Sequence, residues 1–234
     1  MDALRPILLN MFPEARASSD LLKFLVQLLS RKLNDSSSAL FLPNLIKGQR
    51  NPTYDPYHVD RWSIPGIIDG MSGTFTDLAI TGISNAGVKG EPTVDDDNVI
   101  SGSGVFLQAL KEPKSIHVEG NASLIQDDDG QRLNGTFTAD IYEATVQVKV
   151  QLSADGDKIQ ASVQQIALQK PDNLTGVMKV AVKVDPNYDE FLNDRINQPS
   201  KLELIYQKLQ GELSSTTTLK SFSDLITKAI NNVA

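Results

Sequence analysis

Few side chains in this sequence could do chemistry, and their spacing argues against most of the chemistry open to them. The chain has two histidines, His58 and His117, and no cysteine. An imidazole can act as a general base or a metal ligand, but a zinc site needs several donors at fixed intervals. No spacing motif joins His58, in a stretch rich in Tyr and Pro, to His117, on the polar side of an alternating segment. A hydrolase reading would rest on one of these two residues. There is no Gly-x-Ser-x-Gly elbow, no phosphate-cradling loop and no His-Glu-x-x-His. Gly102-Ser103-Gly104 falls inside a strand pattern instead of opening a helix, so a dinucleotide site fails on context. Glycines so placed mark a bend or a close backbone approach. The acidic runs at 95–97 and 127–130 lack the distal glutamate of a calcium loop and read as solvated turns. Four Asn-x-Ser/Thr sequons begin at Asn34, Asn121, Asn134 and Asn173, close to chance in a chain rich in Ser and Thr. The expectation is therefore no catalytic residue, no metal and no cofactor.

Composition narrows the partners. The 234 residues carry a formal charge of -7, which repels phosphate backbones, so nucleic acid is excluded as a partner. Hydrophobic residues make up 40% but aromatics only 6%, so the interior must be largely aliphatic. The absence of cysteine rules out disulfides and thiolate metal sites without fixing a compartment. Ile7 to Leu9 is a short apolar run cut by Pro6 and preceded by Asp2, so no signal peptide is visible. No stretch approaches the roughly 20 apolar residues of a membrane span.

The elements emerge from periodicity. Ser19-Asp20 is a good N-cap pair for a helix in which Leu21, Leu22, Phe24, Leu25, Val26, Leu28, Leu29 and Leu33 are apolar. That stripe is wider than the ~100° of a surface helix. Pro43, Gly48, Pro52 and Pro56 punctuate an irregular stretch after the helix. From residue 59 to 184 the period becomes two. Ile116, Val118, Ala122 and Leu124 share one face, and the run ending at Gly130 reads as a hairpin turn. The segment 131–152 is long enough for one strand of about 20 residues, with its alternation slipping at Ile141-Tyr142 as at a β-bulge. After a turn at 153–157, a second slip separates Val163 from Ile166, and Pro171 to Asn173 closes the next hairpin. Met178, Val180, Val182 and Val184 alternate in the last strand. Helices are expected at 188–196, from Pro199 to Leu213, and from Leu219 onward after a break at 214–218. Helix, meander, helices is an α+β order. The reading is one domain over 1–234, with an N-terminal helical segment (1–45), a long, strongly curved antiparallel meander (59–184) and C-terminal helices (187–234).

The residues Tyr54-Asp-Pro-Tyr-His-Val59, Gly66-Ile-Ile-Asp69, Gly73 and Asp77 to Asn85 resemble the entry to the sheet in arthropod juvenile-hormone-binding and takeout proteins, and most closely in group 7 mite allergens. The resemblance implies a tubular lipid-binding fold, in which a curved sheet wraps a helix around an elongated apolar cavity. It also implies a secreted protein that binds a hydrophobic small molecule or lipid and is not an enzyme. The chain lacks the N-terminal cysteine pair of the hormone-binding branch, and its C-terminal helix is interrupted where that family usually has one long helix.

Candidate ligand contacts are the inward side chains: Phe24, Leu25, Leu28 and Leu29 on the first helix, Val146, Val148 and Val150 on the long strand, and Phe222, Leu225 and Ile226 on the last helix. Such residues would also serve as plain core in any sheet-helix domain. The alternative is a protein-interaction module whose groove is filled by its own helices, with Tyr54, Tyr57 and Trp62 as an exposed aromatic cluster. A weak membrane or protein contact and the oligomeric state stay open.

Overall fold

The computed structural model describes residues 26–27, 30–38, 41–48, 55–95, 99–106, 116–142, 144–155 and 158–232. The N-cap pair Ser19-Asp20, the stripe residues Leu21, Leu22, Phe24, Leu25, Leu28 and Leu29, and Tyr54 lie outside them. Residues 26–27 and 30–34 are helical, and α1 (Leu42–Lys47) comes next. The alternating region forms strands β1 (Tyr57–Ile68), β2 (Met71–Thr81), β3 (Ala86–Val94), β4 (Val99–Phe106), β5 (Ile116–Gln126), β6 (Arg132–Ile141), β7 (Ala144–Asp155), β8 (Lys158–Leu168) and β9 (Met178–Lys183). The short helix α2 (Leu174–Val177) separates β8 from β9. The chain ends in α3 (Asp189–Ile196), α4 (Pro199–Leu213) and α5 (Thr216–Asn232).

The strands are antiparallel and divide into a five-stranded sheet, β1-β2-β5-β6-β9, and a four-stranded sheet, β3-β4-β7-β8. The segment expected as one strand over 131–152 is thus two, β6 and β7, in different sheets. The slip at Ile141-Tyr142 is the corner between them and not a bulge within one ladder. Ile141 and Ala144 are both buried. An odd step in an otherwise even alternation keeps the apolar face turned inward as the chain bends. The second slip is a true bulge: Val150 pairs with Val163 and Lys149 with Gln165, leaving Gln164 as the extra residue. Two turns also differ from expectation. β7 and β8 pair as far as Asp155 and Lys158, so the 153–157 turn is tighter than expected. Pro171 to Asn173 closes no hairpin, because β9 leaves β8 and pairs with β6. The turn at Gly130, with φ 72°, is as expected.

The resemblance motif has a mechanical role. Asp55 accepts hydrogen bonds from the backbone N–H of Gly82 (3.2 Å) and Ser84 (2.8 Å). Gly82 has φ 92°, and the Ile83–Asn85 turn after it leads β2 out of one sheet and into β3 of the other. The motif therefore pins a corner.

The inner face of the five-stranded sheet is fully buried at Trp62, Phe75, Leu124 and Phe137, with the Phe75 and Phe137 rings 4.3 Å apart. Leu202, Ile205 and Leu209 of α4 belong to the same core. Trp62 donates its indole N–H to Glu212 (3.1 Å), so the expected exposed aromatic cluster is corrected: Trp62 is core and Tyr57 is half-buried. Lys201 bridges α4 to the β1–β2 turn, reaching the Gly66 carbonyl and Asp69 at 2.7 Å each.

Helix side chains satisfy the outer strands. On α3, Asn193 bonds both backbone groups of Val182, and Asn197 both of Val180. Along β8, Gln210 bonds the Leu168 N–H and the Ile166 carbonyl, Ser223 takes the Val163 N–H and Thr227 the Ala161 N–H. Asn34 does the same for Val88 on β3. Ser215 caps α5 by accepting from the Thr218 N–H (3.2 Å), which narrows the helix break to Ser214-Ser215.

Truncating Phe137→Ala should cost about 3–5 kcal/mol in urea unfolding. Asn197→Ala should cost about 1–3 kcal/mol, because it strips two bonds from Val180. Faster amide exchange at Val180 would locate that second loss.

Candidate apolar binding site

The valines of β7 lie on the inner face of the four-stranded sheet. Val146 is buried, whereas Val148 and Val150 are only half-buried. Across β4, Val150 faces Ile100, Val148 faces Gly102 and Val146 faces Gly104. Gly102 has no side chain to fill the position beside Val148, and the nearest atoms to a Cβ placed there belong to Pro92, at 3.6 and 3.7 Å. This aliphatic strip along β4 and β7, bare of a side chain at Gly102, is the candidate gutter.

Its two sides are the outer strands of the sheet. On the β8 side, Ser223 and Thr227 dock α5 onto the strand. The adjacent face of that helix turns Phe222, Leu225 and Ile226 to the sheet, with Leu225 buried and the other two half-buried. Ile226 and Val150 pack against the same Leu152–Ala161 cluster. On the β3 side, Asn34 holds Val88 and Gln27 donates to Glu91 (3.1 Å), while Val26 and Ser30 are buried.

Val146 and Leu225 belong to the main core, Val148, Val150, Phe222 and Ile226 pack against it, and Val150 and Ile226 meet at the Leu152–Ala161 cluster. Phe24, Leu25, Leu28 and Leu29 lie outside the described residues. Sequence reasoning read Gly102 as a bend or close backbone approach and passed over Ile100 and Pro92. The signal was available in Gly102 to Gly104, since a glycine inside a strand marks either close approach or vacant space. A separate pocket between β6, β9 and α4, walled by Ile141, Leu168, Leu174, Met178 and Tyr206 among others, has about 10 Å³ of room. That is about one water molecule, and it abuts the Val146 end of the valine strip through Ala144 and Leu168.

Three titratable groups with shifted behaviour lie on or against α4. The Lys201 ammonium holds the Asp69 carboxyl below its usual range, and Lys170 does the same for Glu203. Tyr206 donates to the Leu168 carbonyl (2.7 Å), and burial, helped by Glu203, pushes its phenol up to about 12. No helix among the described residues is long and apolar enough to cross a membrane.

Paired antiparallel sheets, curved and backed by terminal helices, make this an α+β chain of the takeout fold. The crystal structure of Takeout 1 from Epiphyas postvittana matches it at 13% identity with a TM-score of 0.51, covering 88% of this chain and 89% of that one. Lipopolysaccharide binding protein overlaps at 14% identity (TM-score 0.34), over 85% of this chain and 38% of that one. Mmm1 overlaps at 12% identity (TM-score 0.30), over 86% of this chain and 82% of that one. At such identities the Takeout 1 likeness is one of fold. No family model and no curated protein sequence matches the chain.

Tyr206 gives a test of how the helices are held. Its neutral form is favoured by the fold, so its folded value lies above the unfolded value near 10. Its contribution is fully present below pH 10 and is lost as pH rises through about 12. Denaturant stability measured between those limits should fall more steeply for the wild type than for Tyr206→Phe.

Proposed function

We propose that this protein binds an apolar small molecule or lipid in the gutter between its four-stranded sheet and α5, without catalysing a reaction, and that it works outside the cell. The observation that carries this reading is the half-buried apolar strip of Val148, Val150, Phe222 and Ile226 beside Gly102, which has no side chain to cover it. A closed core has little reason to leave such side chains half-covered, because each loses about 25 cal/mol for every Å² left in water. The takeout fold supports the same reading, since a hydrophobic-ligand carrier needs long curved strands with a continuous apolar concavity.

Binding would come from burial of apolar area and selectivity from shape. The gutter offers a ligand few hydrogen-bond donors, because the hydroxyls of Ser223 and Thr227 are engaged with β8. An elongated hydrocarbon or isoprenoid fits this chemistry better than a polar metabolite.

Native mass spectrometry of the purified protein, with extraction of anything bound, should reveal a co-purifying apolar molecule or saturable uptake of a fluorescent fatty acid. Gly102→Leu should abolish uptake while leaving the fold intact, since a Cβ there meets Pro92 only at ordinary contact distance. Ile226→Asp should weaken it at least about tenfold, a loss of ~1.4 kcal/mol. A wild-type protein that is empty and takes up no probe would shift the assignment to an interaction module with a self-filled groove.

A further inference from the structure

His117, Asp140 and Glu119 form a polar cluster on the outer face of the five-stranded sheet, away from the apolar gutter. Ile116 and Val118 point into the core, so His117 points out. Asp140 sits directly across the ladder on β6, and its Oδ1 lies 2.6 Å from His117 Nδ1. On the other side of the ring, Nε2 lies 3.6 Å from Glu119 Oε2. The cluster is partly exposed: the side chains of His117 and Asp140 are 22% and 18% exposed, that of Glu119 62%.

This arrangement has the parts of a metal site with its outer support already in place. A metal-bound imidazole usually donates its remote N–H to a carboxylate, which fixes the tautomer and aims the other nitrogen at the ion. Asp140 occupies that supporting position, leaving Nε2 directed towards the solvent-facing Glu119. Two donors 3.6 Å apart subtend roughly 120° at an ion ~2.1 Å from each, close to a tetrahedral angle. Among the described residues no group of three or more His, Cys, Asp or Glu is placed to hold a metal ion, so the pair would be the whole protein ligand set and water would fill the remaining positions. The net charge of -7 favours cation approach.

We propose that His117 Nε2 and the Glu119 carboxylate bind a divalent transition-metal ion of the zinc type, with Asp140 as the residue that positions the imidazole. The chain contains its own reference. His58 is the other histidine, and it is exposed on the same sheet face, in the row that runs through Ala79 to Glu119.

The test is a zinc titration of the full chain with NMR of the imidazole ring protons and nitrogens. The expected result is a saturable shift at His117, with an Nδ1–H tautomer before and after addition, and no matching change at His58. Glu119→Gln and Asp140→Asn should each weaken binding about tenfold or more, and Asp140→Asn should also disturb the tautomer in the metal-free protein. Because Glu119 is exposed, Glu119→Gln leaves the fold intact and carries the test even where Asp140→Asn does not fold. Absence of a saturable shift up to ~1 mM zinc, an equal response at both histidines, or unchanged affinity in Glu119→Gln overturns the proposal.

Discussion

An open sheet has to satisfy the backbone groups of its outermost strands, and most of this architecture depends on how that is done. A curved pair of sheets that does not close into a barrel leaves edges at β1, β9, β3 and β8. Unpaired strand edges invite pairing with other chains. Here helices supply the missing partners through short polar side chains. Asn193 and Asn197 imitate a neighbouring strand for β9 by giving and taking a bond at Val182 and Val180. Asn34 repeats the arrangement at Val88. Gln210, Ser223 and Thr227 serve β8 from α4 and α5. On β1, Lys201 takes up the Gly66 carbonyl.

This use of helices sets the geometry of the apolar surface. Residues three and four apart on a helix are neighbours, so docking by Ser223 and Thr227 leaves a fixed, adjacent stripe for Phe222 and Ile226. The stripe must then face the inner side of β7 and β8, where Val150 and Leu152 lie. Edge satisfaction and the proposed ligand surface are two faces of one helix, which couples them. Any movement of α5 that widened the gutter would also break bonds to β8, at about 1 kcal/mol for each bond lost to water. The interval of Ser214 and Ser215 between α4 and α5 allows the two helices to take different directions along that edge.

Much of this was legible in the sequence, for reasons that can be stated residue by residue. Alternation exposed the strands, and its phase errors at Ile141-Tyr142 and Val163 to Ile166 marked the places where the chain turns or bulges. Phase alone could not separate a corner from a bulge, because both insert an odd step; only pairing shows that Tyr142 stands between sheets while Gln164 stands within one. The Asp55 to Asn85 motif was visible as a resemblance, but its work, a carboxylate holding two N–H groups at a corner, depends on residues about thirty positions apart. Trp62 was misjudged because its neighbours are polar, and a strand places adjacent residues on opposite faces. The edge-binding Asn, Ser and Thr residues were silent, since short polar side chains are equally common on a solvated helix face.

The same logic bears on the two kinds of site. Apolar binding needs area and shape, which a fold assembles from residues individually indistinguishable from core, so Val148 and Phe222 could be named in advance only as candidates. What separates them from core is incomplete burial beside a missing side chain at Gly102, a property of packing and not of residue type. The polar cluster at His117 is the converse case. Its residue types are informative, but Asp140 is 23 positions away, and only the β5–β6 register sets the carboxylate against Nδ1. A strand register acts here as a spacing motif written across the sheet: His117 and Glu119, two apart on one strand, meet a partner from the next strand on the same face. Curvature keeps the two surfaces apart, since the alternation that turns Ile116 and Val118 inward is what turns His117 and Glu119 out. The sheet can therefore present an apolar concavity and a charged outer surface without either compromising the other.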